Sequence, residues 1–132
     1  MIVVDTNILV YLALPSTFTE HAERLLVREP VWAAPSLWRS EFRNVLARYV
    51  QKSIVPLSKA LVLYENMEEI LGRYTFEVPS DSVLKLAAES GCTAYDCEYV
   101  ALAQQEGMPL VTMDADVIKA FPETARKLTA FV

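Results

Sequence analysis

The sequence has few of the residues on which several common kinds of site depend. Its 132 residues include two cysteines, one histidine and three glycines. Cys92 and Cys97 do not form a CxxC pair, and with only His21 to join them they cannot build a zinc site by themselves. We therefore expect two reduced thiols in or near the core, and a histidine on a helix surface with no catalytic role.

Sequence patterns that indicate other chemistries are also missing. There is no glycine-rich phosphate-binding loop and no GxSxG nucleophile elbow. No apolar run is long enough to cross a membrane. The apolar start, residues 1–14, lacks a basic flank and contains Asp5, so it does not read as a signal peptide. We expect a cytoplasmic protein with no association with membranes.

The chain is rich in apolar residues and mildly acidic. Hydrophobic residues make up 53% and charged residues 22% of the sequence, which suits a single packed domain over residues 1–132. The formal net charge of −5 is unusual for a protein that binds nucleic acid. However, four of the seventeen acids belong to one predicted site, where bound cations would offset them. The rest of the chain is close to neutral.

Apolar periodicity and capping residues predict strands that alternate with helices. The predicted strands cover residues 2–4, 31–34, 76–78 and 110–112, with a last edge strand at 130–132. The predicted helices cover residues 7–14, 19–28, 37–52, 58–72, 80–91 and 93–107, with a short one ending at 121. Thr19, Ser36 and Thr93 are the predicted caps. This alternation implies a parallel sheet with helices on both faces.

Two of the predicted strands run directly into aspartates. Asp5 follows residues 2–4, and Asp114 lies just past residues 110–112, with Asp116 two residues later. Aspartate also caps helices and forms turns, so local structure explains each of them when taken singly. Ligands bind to parallel sheets beyond the carboxyl ends of the strands. The positions of Asp5 and Asp114 therefore point to a site at that edge.

Glu41 lies where its predicted helix should be apolar. It comes three residues after Trp38 and four before Val45, on or beside the apolar stripe of the helix over residues 37–52. A carboxylate directed toward a core is unfavourable unless something compensates it. The alternative is a glutamate at the edge of the core that reaches water or a distant arginine.

Asp96 is placed in a similar way in the helix over residues 93–107. It shares a helix face with Tyr99, which we expect to be buried, whereas Glu98 points elsewhere and should be solvated. Residues from Thr93 to Asp96 also fit a capping pattern, and the first helical turn favours acids. Asp96 can serve both as part of a helix start and as part of a site.

Two strand ends and two inward helix faces would bring four carboxylates into one cleft. They are Asp5, Glu41, Asp96 and Asp114, and Asp116 is a further candidate. Like charges so close together cannot all stay ionised without cations. A site of oxygen ligands favours magnesium or manganese over zinc. One such ion, or two about 4 Å apart, can activate a water for phosphodiester hydrolysis.

Four segments carry these acids in a recurring order. They are IVVDTNILV at residues 2–10, Glu41 in the helix after the second strand, TAYDCEYVALA at 93–103 and PLVTMD at 109–114. In order and spacing, across nearly the whole chain, they resemble the PIN-domain family and in particular its VapC-type toxins. The Asp-Thr-Asn segment alone would be a weak indication, but all four in order are a strong one.

The resemblance implies a fold and a set of site residues. The fold is a three-layer α/β sandwich with a central five-stranded parallel sheet of order 3-2-1-4-5. The predicted ligands of Mg²⁺ or Mn²⁺ are Asp5, Glu41, Asp96 and Asp114, with Asp116 as a more variable auxiliary acid. The residues expected to orient these carboxylates are Thr6, Asn7 and Thr112.

The resemblance also implies an activity and partners. We expect a divalent-metal-dependent endoribonuclease that hydrolyses RNA by metal-activated water, as the toxin of a type II toxin–antitoxin pair. The expected partners are the RNA substrate, a small antitoxin and a second copy of the chain as a homodimer. The family includes toxins that cut transfer, ribosomal or messenger RNA, and the sequence does not choose among them.

Arginines on the helix over residues 37–52 provide a possible RNA contact. Arg39 and Arg43 lie four residues apart, a spacing that places two like charges next to each other on a helix. They could form a phosphate-binding edge beside the metal site. The alternative is an ordinary solvated face whose charges pair elsewhere.

Two alternative functions remain open at the level of sequence. One is a phosphatase of the haloacid-dehalogenase type, with Asp5 as the nucleophile after the first strand. Such enzymes usually carry a second aspartate two residues later, where this chain has Asn7. The other is a PIN-like scaffold that binds a partner without cutting, although the complete set of acids argues against a decayed site.

Overall fold

The computed structural model describes residues 1–132, and its centre is a parallel five-stranded sheet with helices on both faces. The strands are β1 (Ile2–Val4), β2 (Trp32–Pro35), β3 (Thr75–Phe76), β4 (Leu110–Thr112) and β5 (Ala125–Lys127). Their order is β3-β2-β1-β4-β5. All four pairings are parallel. The predicted α/β fold and the strand order 3-2-1-4-5 are thus confirmed.

Eight helices connect and cover the strands. They are α1 (Thr6–Ala13), α2 (Thr19–Arg28), α3 (Leu37–Gln51), α4 (Leu57–Leu71), α5 (Ser80–Ser90), α6 (Ala94–Glu106), α7 (Ala115–Ala120) and α8 (Leu128–Phe131). Helix α6 packs against β1 and β2 and against α5, whereas α1 contacts α2 and α3. No helix combines the length and the apolar character needed to span a membrane.

The three central strands are buried, and Thr112 is the one residue in them with an aliphatic polar side chain. All residues of β1 and β2, and all of β4, have side chains shielded from solvent. The register pairs Val4 with Val111, and the amide of Asp5 donates to the carbonyl oxygen of Val111 at 3.0 Å. Adjacent parallel strands end at the same edge of the sheet. The register therefore brings Asp5 beside Thr112.

Aromatic side chains fix α3 against α4 and the sheet. The rings of Trp38 and Tyr64 stack at 5.9 Å, and Phe42 lies 6.4 Å from Tyr64. Trp38 and Phe42 are fully buried. The indole Nε1 of Trp38 donates to the hydroxyl of Thr75 at 2.8 Å. This bond ties α3 to the edge strand β3, so Trp38 stabilises the helix that carries Glu41.

The last strand lies elsewhere than the sequence predicts. The prediction of an edge strand at residues 130–132 is wrong: β5 is Ala125–Lys127, and the apolar residues that follow form the short helix α8. Only Ala125 of β5 is buried, while Arg126 and Lys127 are exposed. An edge strand with one buried residue has no apolar alternation to detect. Its exposed cations also protect the open edge from further strand pairing.

Some predicted details of strand and helix starts also differ. Strand β3 lies at residues 75–76 rather than 76–78. Ser36 has helical backbone angles and makes no side-chain capping bond. Thr19 is already inside α2, and its hydroxyl donates to the carbonyl of Tyr11 at 2.8 Å. The predicted cap at Thr93 is confirmed, because its hydroxyl accepts from the amide of Asp96 at 3.0 Å.

The cysteines and the histidine lie largely as expected. Both cysteines are unpaired, with Cys97 buried and Cys92 partly buried. His21 lies on α2 but is partly buried rather than simply exposed, with its ring edge-on to Phe18 at 6.2 Å. None of the three residues takes part in a cluster that could hold a metal ion.

Leu102 offers a test of the packing that fixes α6. Its side chain is 1% exposed in the main core, so Leu102→Ala should lower the free energy of unfolding by about 2–5 kcal/mol through lost burial and a cavity. Leu84→Ala, at a helical leucine that is 65% exposed, is the matched control and should change it by less than about 0.5 kcal/mol. Urea unfolding measures both values. If both substitutions changed the free energy of unfolding by the same small amount, packing of Leu102 in this core would not be what stabilises α6.

Candidate active site

Asp5 lies at the end of β1 with both carboxylate oxygens occupied by hydrogen bonds. Its side chain is only 9% exposed. Oδ1 accepts from the amide of Thr6 at 2.8 Å, so Asp5 caps α1. Oδ2 accepts from the hydroxyl of Thr112 at 2.8 Å and, more weakly, from the side-chain amide of Asn7 at 3.4 Å. The carboxylate is therefore held in one orientation by groups from α1 and β4.

Thr112 and Asn7 link the ends of the two central strands. The hydroxyl of Thr112 accepts from the amide of Asp114 at 3.0 Å and from the side-chain amide of Asn7 at 3.3 Å. The side-chain oxygen of Asn7 accepts from the amide of Met113 at 3.3 Å. These bonds connect Asp5 to Asp114 through Thr112. The polar residues predicted to orient the carboxylates thus lie in contact with Asp5 or its immediate neighbours.

Glu41 faces inward from α3 toward two hydroxyl groups. Its Oε1 accepts from the hydroxyl of Thr6 at 2.8 Å and from the phenol of Tyr99 at 2.6 Å. Glu41 is partly buried, and none of the three arginines on α3 forms an ion pair with it. The partners of Glu41 within the fold are thus two hydroxyl groups and not an arginine.

Asp96 and Asp114 both lie at helix starts. Asp96 is in the first turn of α6. Asp114 caps α7, because its Oδ1 accepts from the amides of Asp116 and Val117 at 2.9 and 3.1 Å. Both aspartates are partly buried, whereas Asp116 is exposed. The capping roles considered from the sequence are therefore real, and they leave part of each carboxylate free for other contacts.

The electrostatics show uncompensated negative charge in this region. Burial raises the pKa of Asp5 to about 6, against the lowering effect of hydrogen bonds from Thr112 and Thr6, and the charges of Glu41 and Asp96 raise it further. Neither of the two ion pairs of the chain involves these acids.

Burial also raises the pKa of Asp96. The hydrogen bond with Thr93 opposes this rise, and the charges of Asp114, Glu41 and Asp116 add to it. Since Asp96 responds to three other acids, the carboxylates share one electrostatic environment at the carboxyl edge of the sheet.

The donor set fits a hard divalent cation by its chemistry, although the carboxylates do not converge on one point. The candidate ligands are all carboxylate oxygens, which Mg²⁺ and Mn²⁺ prefer. No three histidine, cysteine or acidic side chains lie close enough together to enclose one ion. Carboxylates without a cation between them repel one another. Mg²⁺ usually binds through one or two carboxylates and keeps several waters, so this spacing is compatible with a hydrated ion.

The two arginines predicted as RNA contacts have different surroundings. The guanidinium of Arg39 lies over the ring of Trp38 at 5.5 Å and donates to Glu68 through Nε and Nη2. Arg43 is exposed and donates to the carbonyl of Arg39 at 3.1 Å and to the hydroxyl of Ser40 at 3.3 Å. Arg39 is therefore engaged in holding α3 to α4, whereas Arg43 is bound only by groups of its own helix.

Two residues near the acids have roles that the sequence did not reveal. Tyr99 is buried as expected from its helix face, but its hydroxyl bonds to Glu41. The prediction that Glu98 is solvated is wrong: it is partly buried, and burial together with the charges of Glu41 and Glu77 raises its pKa. The predicted face of α6 indicated that Tyr99 is buried, but not the polar partner that its hydroxyl finds there.

A cavity of about 500 Å³ opens beside Asp96 and Asp116. Its lining consists of Ser90, Gly91, Cys92, Thr93, Asp96, Asp116, Lys119 and Ala120. Lys119 is the only cation among them. Two of the predicted site acids, Asp96 and Asp116, thus line this cavity together with one lysine.

Comparisons with known proteins relate the chain to one family and one fold. The sequence pattern of the PIN domain matches residues 2–127. Ribonuclease VapC3 of Pyrobaculum aerophilum is 27% identical over 124 residues, which cover 92% of this chain and 95% of that protein. The crystal structure of PAE2754 from Pyrobaculum aerophilum matches with a TM-score of 0.78 and 25% identity, over 98% of this chain and 84% of that one.

A toxin–antitoxin complex from Klebsiella pneumoniae contains a chain of the same fold. It matches with a TM-score of 0.67 and 16% identity, and the match covers 97% of this chain and 98% of that chain. At this identity the likeness concerns the fold alone.

The raised pKa of Asp5 predicts how stability depends on pH. The folded state holds this proton more tightly than the unfolded chain, in which Asp5 has its ordinary pKa of 3.8. Below about pH 4 the ionisation of Asp5 does not affect the free energy of unfolding. As pH rises from about 4 through about 6, ionisation lowers the free energy of unfolding. In chelator, Asp5→Asn should gain on the order of 2 to 3 kcal/mol relative to wild type between pH 4 and pH 7.5. Urea unfolding at both pH values measures this gain, and a pH-independent difference would contradict it.

Proposed function

The chain belongs to the PIN-domain family of nucleases, and from that membership we propose that it is a divalent-metal-dependent endoribonuclease. Residues 1–132 form one catalytic domain that hydrolyses RNA phosphodiester bonds with water as the nucleophile. The similarity to ribonuclease VapC3 over nearly the whole chain supports RNA as the substrate. The same similarity supports a role as the toxin of a type II, VapBC-type pair.

The observation that carries the proposal is the buried, oriented carboxylate of Asp5 among other acids that have no cationic partner. Its two oxygens are fixed by Thr6 and Thr112, and its pKa is raised by burial and by Glu41 and Asp96. A structural carboxylate at the edge of a core would be expected to have a neighbouring cation. Here the compensating charge has to come from outside the chain, and a metal ion would supply it.

The residues that hold the ion in this proposal are Asp5, Glu41, Asp96 and Asp114, one or two of them directly and the others through its bound waters, with Asp116 also acting through water. A bound Mg²⁺ or Mn²⁺ would supply Lewis acidity to a phosphate oxygen and lower the pKa of a water. The protein's contribution is orientation. Thr112 and Asn7 fix Asp5 relative to Asp114, and Thr6 links Asp5 to Glu41. Such supporting contacts raise metal affinity by holding ligands in place.

The geometry does not favour Asp5 as a covalent nucleophile. Both of its oxygens accept hydrogen bonds, and the side chain is 9% exposed. Asn7 occupies the position of the second aspartate that a haloacid-dehalogenase-type phosphatase uses, and its side-chain amide points at Asp5. The contacts suit a metal ligand better than an attacking group. A non-catalytic PIN-like scaffold is distinguished from the enzyme by the cleavage experiment.

Arg43 is the better placed of the two arginines for contact with RNA. Arg39 is held by Glu68 and lies over Trp38. To bind RNA, its guanidinium would have to leave both of these contacts. Arg43 is exposed and could exchange its bonds on α3 for a phosphate. We therefore assign Arg43 to substrate binding and Arg39 chiefly to holding α3 against α4, with Arg39 adding positive charge nearby.

An antitoxin and a second copy of the chain are the proposed protein partners. The fold shared with a chain of the Klebsiella pneumoniae toxin–antitoxin complex supports the first. An apolar cavity of about 360 Å³ between α3 and α4, lined among others by Leu46, Leu57 and Leu61, offers a surface for an apolar partner segment. The homodimer follows from the resemblance to VapC-type toxins.

Substitution of the predicted ligands tests the enzymatic proposal. Asp96→Asn and Asp5→Ala should each lower RNA cleavage by at least about 100-fold, because loss of a ligand weakens metal binding and charge stabilisation. Asp81→Asn removes an exposed aspartate of α5 and is the matched control, with unchanged cleavage. The measurement uses protein free of any partner, with magnesium, manganese or chelator, on linear and circular RNA. Circular RNA has no ends, so its cleavage identifies an endonuclease.

The outcomes separate the alternatives. Metal-dependent cleavage that survives in either ligand variant would refute the assignment of that residue. A phosphorylated Asp5 trapped with a phosphate ester would identify the phosphatase. Absence of metal-dependent cleavage of any structured or unstructured RNA would contradict the ribonuclease proposal and favour the binding scaffold.

Metal binding should also be visible without RNA. Because the ion would bind only the folded chain, Mg²⁺ or Mn²⁺ at about 100 times its Kd should add about 2.7 kcal/mol to the free energy of unfolding. Thermal unfolding with each metal and with chelator measures this as a rise in Tm. Asp5→Ala should abolish most of the rise, and an equal rise in that variant would show that the metal binds elsewhere.

A further inference from the structure

Three oxygens close to the predicted metal ligands form a hydrogen-bonded triangle. The hydroxyl of Thr6 lies 2.8 Å from Oε1 of Glu41, the phenol oxygen of Tyr99 lies 2.6 Å from the same atom, and the two hydroxyls are 2.6 Å apart. Each hydroxyl has a single hydrogen to donate, so at most two of these three contacts are hydrogen bonds at any moment. Oε1 of Glu41 carries no hydrogen and is the acceptor within reach of both hydroxyls.

The triangle joins the three helices that carry three of the predicted ligands. Thr6 follows Asp5 at the start of α1, and Glu41 lies on α3. Tyr99 lies on α6, three residues after Asp96, so the two side chains project from the same side of that helix. A displacement of Glu41 would break bonds to both neighbouring helices.

Tyr99 is the rigid member of the group. It is 1% exposed, so its ring is fixed by the core and its hydroxyl has a defined position. A phenol is protonated at neutral pH, so the hydroxyl of Tyr99 has a hydrogen to donate. Glu41 in contrast is a long side chain that is only partly buried, and it would lose fixed geometry without such a donor.

We propose that Tyr99 is a positioning residue that holds the carboxylate of Glu41 in place for metal binding, with Thr6 as the second donor. The inference rests on the proposed function of the site, because it assigns a purpose to the fixed geometry of Glu41. Tyr99 does not touch the metal or the RNA in this role. It acts through Glu41, and its effect depends on the presence of that carboxylate.

Tyr99→Phe is the direct test, because it keeps the ring and removes only the hydroxyl. The affinity for Mn²⁺, measured by electron paramagnetic resonance in the absence of RNA, should fall by roughly 10- to 100-fold, as for other groups that orient ligands. Tyr95→Phe makes the same chemical change at a tyrosine of α6 that is 63% exposed and should leave the affinity unchanged. Unchanged affinity in Tyr99→Phe would overturn the inference.

A double-mutant cycle separates positioning from a general structural effect. In a Glu41→Gln background, Tyr99→Phe should lower Mn²⁺ affinity no further, because the carboxylate through which it acts is gone. An equal loss in both backgrounds would overturn the inference in favour of a structural role. If Tyr99→Phe fails to fold, Thr6→Val, which removes the other donor and retains the shape, takes its place in the cycle with the same two readings.

The failure of this inference can be told apart from the failure of the proposed function. Wild-type protein that binds Mn²⁺ and cuts RNA, together with an unaffected Tyr99→Phe variant, overturns only the role of Tyr99. Wild-type protein that binds no Mn²⁺ overturns both. Loss of Mn²⁺ affinity in Tyr99→Phe, dependent on Glu41 and absent in Tyr95→Phe, supports both.

Discussion

The carboxylate of Asp5 lies at the edge of an apolar core, and much of the surrounding structure compensates for that position. An ionised group so poorly exposed to water is unfavourable unless hydrogen bonds and counter-charge replace its hydration. The amide of Thr6 and the hydroxyl of Thr112 supply the hydrogen bonds, and they come from α1 and β4. The same bonds fix the end of β1 relative to β4. What is absent is a cation, since no basic side chain pairs with Asp5.

The aspartates of the site also stabilise the starts of helices. Asp5 caps α1, Asp114 caps α7, and Asp96 lies in the first turn of α6. A helix start fixes the direction of such a side chain and places it where backbone amides stabilise negative charge. Local structure thus brings these carboxylates to one edge of the sheet, and the hydrogen bonds of the helix starts offset part of the unfavourable burial of Asp5. For the same reason, one aspartate in a sequence does not show whether it is a helix cap or a metal ligand. Only the combined positions of several acids along the chain indicate a metal site.

The central part of the fold was predictable because it is fully buried, and the periphery was not. Continuous apolar runs mark β1 and β4, whereas β5 buries only Ala125 and carries no such pattern. The burial of Tyr99 on α6 was predictable from its helix position, although the helix also buries Cys97 and Ala101 on a second side, which the predicted face did not include. The bond from Tyr99 to Glu41 was not predictable, because a helix position specifies a direction and not the atom that a hydroxyl meets across the core. Long-range polar contacts of this kind depend on how helices from distant segments are placed together.

The distribution of charge determines the order in which metal and RNA can bind to the proposed site. The chain carries a formal net charge of −5. Several acids that raise one another's pKa lie together at the proposed site, where RNA would have to approach. A phosphate group would be repelled by these carboxylates as long as they have no counter-ion. A divalent cation bound there reverses the local sign of the field. If the proposed function holds, the metal therefore has to bind before the RNA or together with it. An acidic chain can then act on a polyanion, because the positive charge at the site comes from a bound metal ion and not from basic side chains.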